Sequence, residues 1–152
     1  MKKWRLLLLC TILLPLAALA WGQSNSVVDQ LLAQDKASYG NAAYMALSAA
    51  KQIPDTASLD DAMAALAATH WRQKLPGSDA PVTLGEYSYL LMKAFKMKGG
   101  LMYSLAPGPR YAARELAYLG LVNGDTSPYR ILAGRDVVEI VGNVLNYLEA
   151  HQ

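Results

Sequence analysis

The chain has 152 residues, a single cysteine and a near-balanced charge, 14 Lys+Arg against 12 Asp+Glu. One cysteine excludes an internal disulfide framework and every multi-cysteine zinc or iron–sulfur centre. Lys2, Lys3 and Arg5 crowd the N-terminus; without them 11 basic residues face 12 acidic ones, a net −1 with none of the basic footprint of a nucleic-acid binder.

Met1-Lys2-Lys3-Trp4-Arg5 is a short basic stretch, and residues 6–14 form an apolar run broken only by Cys10 and Thr11. Pro15 stops that run, and Ala18-Leu19-Ala20 supplies the small-x-small pattern of a signal-peptidase site. A membrane-spanning helix needs about 20 apolar residues, more than this stretch offers around its proline. The pattern predicts a cleavable signal peptide over 1–20, with retention as an anchor as the alternative. Cys10 follows Leu7-Leu8-Leu9 rather than a small residue closing a longer apolar run, so it reads as filler and not as a lipidation site. The expected location is extracytoplasmic: periplasm or cell envelope, or secreted. Cleavage after Ala20 leaves a cysteine-free chain of about 130 residues, long enough for one core to hold it, and it removes thiol catalysis.

Residues 21–26 are small and polar, which predicts a disordered lead-in. From 27 to 152, Gly/Pro turns separate stretches of helical period with little period-2 alternation. The expected fold class is therefore all-α: a small array of five to six short helices in a single domain. Helices are predicted at 27–36 and 39–52, the second closed by Ile53-Pro54. Ser58-Leu59-Asp60-Asp61 is a variant capping box opening a helix with Leu59, Ala62, Met63, Leu66 and Ala67 on one face. Thr83-Leu84-Gly85-Glu86 is the full T-x-x-E box, followed by Tyr87, Leu90, Leu91, Ala94 and Phe95 at amphipathic spacing and ended by Gly99-Gly100. The last pair is predicted at 109–121, with Ala112, Leu116 and Leu119 inward, and at 135–150, with Val137, Ile140, Val141, Val144, Leu145 and Leu148 inward.

The chain repeats itself. A shift of fifty residues carries Glu86, Tyr87, Leu90, Leu91, Ala94 and Phe95 onto Asp136, Val137, Ile140, Val141, Val144 and Leu145. The preceding loops, Pro76-Gly77-Ser78-Asp79-Ala80-Pro81 and Asn123-Gly124-Asp125-Thr126-Ser127-Pro128, each place Gly four residues before Pro. Each unit is a helix, a Gly/Pro loop and a second helix, over about 58–97 and 109–148, a period typical of stacked modules.

These units resemble the S-layer homology domain, whose repeats join two helices by a loop and open the second on a T-R-A-E-type motif. Val82-Thr83-Leu84-Gly85-Glu86 is similar to that motif, and Leu119-Gly120-Leu121-Val122-Asn123-Gly124 to the helix end and loop before it. The likeness covers Ser58 to Leu148, with a degraded half-repeat at 39–55. It implies a small helical module that anchors envelope proteins, a basic residue contacting cell-wall polymer. Leu84 stands where that arginine would be; the later unit has Gly134 there, with Arg135 next.

Chemistry-bearing motifs are few. His70 and His151 lack a second ligand at i+3 or i+4. Asp60, Asp61, Asp136 and Glu139 occupy first helical turns, where carboxylates serve caps and the helix dipole. No G-x-S-x-G elbow, phosphate loop or dinucleotide fingerprint occurs, and Asp125-Thr126-Ser127 is too sparse for calcium. No catalytic residue, cofactor or metal site is expected. One segment stands out: Tyr103, Arg110, Tyr111, Arg114, Tyr118, Tyr129 and Arg130, with Arg110, Tyr111, Arg114, Tyr118 and Arg130 as candidate binding residues. Tyr and Arg are enriched at interface hot spots and grip planar or anionic groups. The alternative is structural, with half-buried tyrosines covered by arginine stems.

The expected function is that of an exported, non-enzymatic module that binds or scaffolds an envelope component, another protein foremost or an anionic polymer. A small ligand carrier or hydrolase with an unrecognised site is the alternative, and a polymer anchor of the S-layer homology kind a second. Nucleic acid, and a membrane span after signal cleavage, are not expected.

Overall fold

The computed structural model describes residues 26–71 and 74–151. The signal peptide predicted at 1–20, and the lead-in but for Ser26, lie outside the described residues. Seven helical segments occur among the described residues: α1 (26–32), α2 (Tyr39–Ala49), α3 (Leu59–Ala68), α4 (Leu84–Ala94), α5 (Leu101–Leu105), α6 (Pro109–Tyr118) and α7 (Gly134–Ala150). No strand is present among the described residues, only isolated antiparallel bridges at Ser38–Pro81 and Thr83–Ile131. The fold is a small all-α array. No helix among the described residues is long and apolar enough to cross a membrane.

Local chemistry explains where the helices start. Ser58 Oγ accepts the Asp61 amide at 3.1 Å while Asp61 Oδ2 accepts the Ser58 amide at 2.8 Å. Thr83 and Glu86 make the same reciprocal pair at 3.3 and 3.1 Å. In α7 the N-cap is Ala133, so only half the box forms, with Asp136 Oδ2 accepting the Ala133 amide at 2.9 Å. Pro109, at the first turn of α6, gives up an N–H that has no helical partner there. Helix ends are left-handed: Lys51, His70, Lys96 and Gly120 follow the C-caps of α2, α3, α4 and α6 with φ of 55°, 54°, 53° and 71°.

Three helix–loop–helix units, not two, close on one another. The Ala37 amide donates to Leu132 O at 2.7 Å, the Leu132 amide to Val82 O at 3.0 Å and the Val82 amide to Ala37 O at 2.9 Å, a closed ring of three fully buried residues. A second tier repeats the pattern outside it: Tyr39 N–H to Ala80 O, Leu84 N–H to Arg130 O, and Gly134 N–H to Gln34 O. Each pairing immediately precedes or opens α2, α4 or α7, and those three helices pack against one another at the centre. The outer helices cover them in rotation, α3 on α2, α6 on α4, and the end of α1 against the start of α7. The half-repeat expected at 39–55 is therefore the second helix of a complete first unit. The core is their shared interior, with Leu47, Leu66, Tyr87, Leu90, Leu91, Leu116, Val137 and Val144 buried. Tyr87 lies fifty residues from Val137 and donates its hydroxyl to that carbonyl at 3.0 Å.

Several expectations need correction. The first helix ends at residue 32 rather than 36, because the Gln34 carbonyl and Ala37 backbone are taken by Gly134 and the ring. Tyr39–Ala49 stops short of Gln52, whose amide turns back to Leu47 O. Ala67, read as inward, is exposed. Gly100 and Pro107 flank an unpredicted helix, α5. Between α4 and α6 the link is five residues longer than between α2 and α3, and α5 is five residues long. It is an inserted element between the second and third units.

Candidate functional site

α5 is too short to bury more than one side. Tyr103 points inward, its ring 6.5 Å from that of Tyr89, while Leu101, Met102 and Leu105 are exposed at 71%, 55% and 72%. α5 packs on α6, and the seam between them is a groove of about 330 Å³ lined by Gly100, Leu101, Met102, Tyr111, Arg114, Glu115 and Tyr118. A Cβ at Gly100 would lie 2.9 Å from Glu115 Oε1, the end of a side chain that can turn away.

Three of the sequence candidates thus meet at one groove: Tyr111, Arg114 and Tyr118. Tyr111 is half-buried against the core, as the structural reading of the tyrosines requires, whereas Tyr118 is 87% exposed. Arg110 lies one turn before Arg114 on α6, and both are exposed. Arg130 lies outside this groove, in the loop before α7. Its carbonyl accepts the Leu84 amide, its Nη1 lies 3.8 Å from Asp136 Oδ2, and its Nη2 donates to Asn123 O at 3.5 Å. Tyr129 is exposed beside it. Sequence reasoning missed Leu101, Met102 and Leu105. The available signal was an apolar Leu101-Met102-Tyr103-Ser104-Leu105 stretch between Gly100 and Pro107, too short to hide its own apolar surface.

Burial pushes the Tyr103 phenol up to about 12, and the neighbouring Tyr89 adds to the shift. Its hydroxyl has no hydrogen-bond partner among the described residues. An ordinary tyrosine titrates near 10, so the folded state favours neutral Tyr103. The resulting stability is fully present below about pH 10 and is lost as pH rises towards 12. Urea midpoints measured from pH 8 to 12 should therefore fall more steeply for the native chain than for Tyr103→Phe. At neutral pH the variant should be at least as stable, since it removes an unpaired buried hydroxyl.

The position that resemblance gives to a polymer-binding arginine is the first helical residue after the cap. In the three units that residue is Tyr39, Leu84 or Gly134, and all three are buried. Arg135 is exposed one place on. Among the described residues no three His, Cys, Asp or Glu side chains gather at a spacing that would hold a metal. No protein-family model, curated protein or solved structure matches the chain.

Proposed function

We propose that this chain is an exported, non-enzymatic binding module whose α5–α6 face docks another protein of the cell envelope. The observation that carries the reading is α5 itself. It is inserted between units that otherwise correspond, the backbone ring of Ala37, Val82 and Leu132 forms without it, and it leaves Leu101, Met102 and Leu105 exposed, the first two in one groove with Tyr118. Grouped apolar side chains on a small domain mark interaction surfaces, and Tyr with Arg are the residue types that anchor them. Arg110 and Arg114 give the rim positive charge, which suits a partner with an apolar anchor and acidic flanks. The envelope setting rests on the signal peptide read at 1–20.

Crosslinking in intact cells from a photoreactive residue at Leu105, followed by identification of the product, tests this. One specific partner is expected, and Arg110→Ala with Arg114→Ala should reduce its recovery at least tenfold. Leu101→Ser with Leu105→Ser should do the same. Melting temperatures should stay nearly unchanged, because exposed charges and exposed apolar side chains contribute little to folding. Recovery that ignores both double variants would place the interface elsewhere.

A further inference from the structure

A second feature lies on the opposite link of the molecule, where the first unit departs from the other two. The chain runs fourteen residues from Ala68 to Val82 and from Tyr118 to Leu132, but only five from residue 32 to Ala37. The short loop leaves a cleft of about 550 Å³ beside the start of α2, lined by Gln34, Asp35, Lys36, Asn41, Ser78 and Asp79, with Gln30, Ser38 and Leu59 completing it.

Asn41 occupies the third helical position, where Glu86 and Asp136 fold back to cap their own helices. It does not do so. In the first unit Gln34 Oε1 accepts the Ser38 amide at 3.0 Å in its stead. Asn41 is only 3% exposed, and its Oδ1 has no hydrogen-bond partner among the described residues. A buried acceptor left without a donor costs roughly 1–3 kcal/mol, so a donor supplied from outside has a ready place.

We infer that this cleft binds a primary ammonium group carried on a saturated carbon. Asp35 and Asp79 supply exposed carboxylates against the single cation of Lys36, Asn41 Oδ1 supplies the buried acceptor, and Leu59 offers an apolar wall for the carbon skeleton that carries the ammonium. An anion is disfavoured even at this helix N-terminus. The first three amides of α2 are already engaged, Tyr39 with Ala80 O, Gly40 with Ser78 O and Asn41 with Ser38 Oγ. A metal ion is also a poor fit: calcium wants six to eight oxygens and usually several carboxylates, and among the described residues no three His, Cys, Asp or Glu side chains gather to hold one. An ammonium of this kind comes either from a lysine side chain of a protein or from an amino sugar of the envelope.

The inference is independent of the α5–α6 reading, and its test is kept separate from it. The exported protein, purified as the cell processes it, is titrated by NMR with Nα-acetyl-lysine amide, with its Nε-acetylated analogue and with glucosamine. The lysine amide or glucosamine should shift the Asn41 side-chain amide saturably, and whichever binds tighter identifies the source. The Nε-acetylated analogue, and the Asp35→Asn, Asp79→Asn double variant, should each bind at least tenfold more weakly. Both aspartates are exposed, so the variant should fold as the native chain does; Arg110→Ala with Arg114→Ala should bind the amine normally. Equal binding of the acetylated analogue, undiminished binding by the aspartate variant, or saturation by calcium chloride alone would overturn it.

Discussion

Leu84→Arg should abolish cooperative folding. Leu84 is fully buried, and its amide is one of those that tie the second unit to the third through Arg130 O. An arginine there places an unpaired guanidinium inside the core, a penalty of several kcal/mol, against the roughly 5–15 kcal/mol that holds a domain together. Leu84→Met, of similar volume, should cost less than about 1.5 kcal/mol. Thermal melts followed by circular dichroism separate these outcomes. The substitution also tests the likeness to the S-layer homology motif, because it restores the arginine of that pattern. A Leu84→Arg chain that melts within a few degrees of the native one would mean that this side chain can reach solvent from the first helical turn.

Gly134→Ala should be nearly as damaging, and the reason is local contact. A Cβ on Gly134 would overlap the backbone carbonyl of Leu31, which no rotamer change can move. The end of α1 would have to lift from α7, breaking the Gly134 amide bond to Gln34 O. Helix propensity alone favours alanine by up to about 1 kcal/mol, yet overpacking against backbone costs about 3 kcal/mol, so the sign is destabilising. Gly142, on the same helix, supplies the control: nothing lies within 4 Å of a Cβ there. Gly142→Ala should therefore stabilise by up to about 1 kcal/mol. Urea unfolding gives both magnitudes, and amide exchange in residues 26–34 should accelerate in Gly134→Ala alone. Equal effects at the two glycines would show that α1 does not pack on α7 as described.

The candidate site was half legible. Arg110, Tyr111, Arg114 and Tyr118 could be placed on one helix from spacing, since residues three, four and seven apart share a helical surface, and three of them do line one groove. Arg130 could not be separated from them in the sequence. Its guanidinium is turned to Asp136 and Asn123 by the loop that binds Leu84, and a loop's course depends on what it docks against. Asn41 was equally silent: it is one asparagine near a helix start until Gln34 is seen to have taken over the cap.

Helix starts are a different matter. Ser58 with Asp61 and Thr83 with Glu86 each close within four residues, and Pro109 acts through its own ring. Chain entropy hardly opposes such short loops, so composition and spacing alone determined the all-α class, the capped starts and the fifty-residue repeat. Only the tertiary structure decided that there are three units, that the first helix ends at residue 32, and that α5 keeps its apolar side chains in solvent. The ring joins Ala37, Val82 and Leu132 through backbone amides that any residue but proline carries. Such bonds leave no mark in side-chain pattern; they form because burying three loops together leaves each amide no other partner than the neighbouring carbonyl.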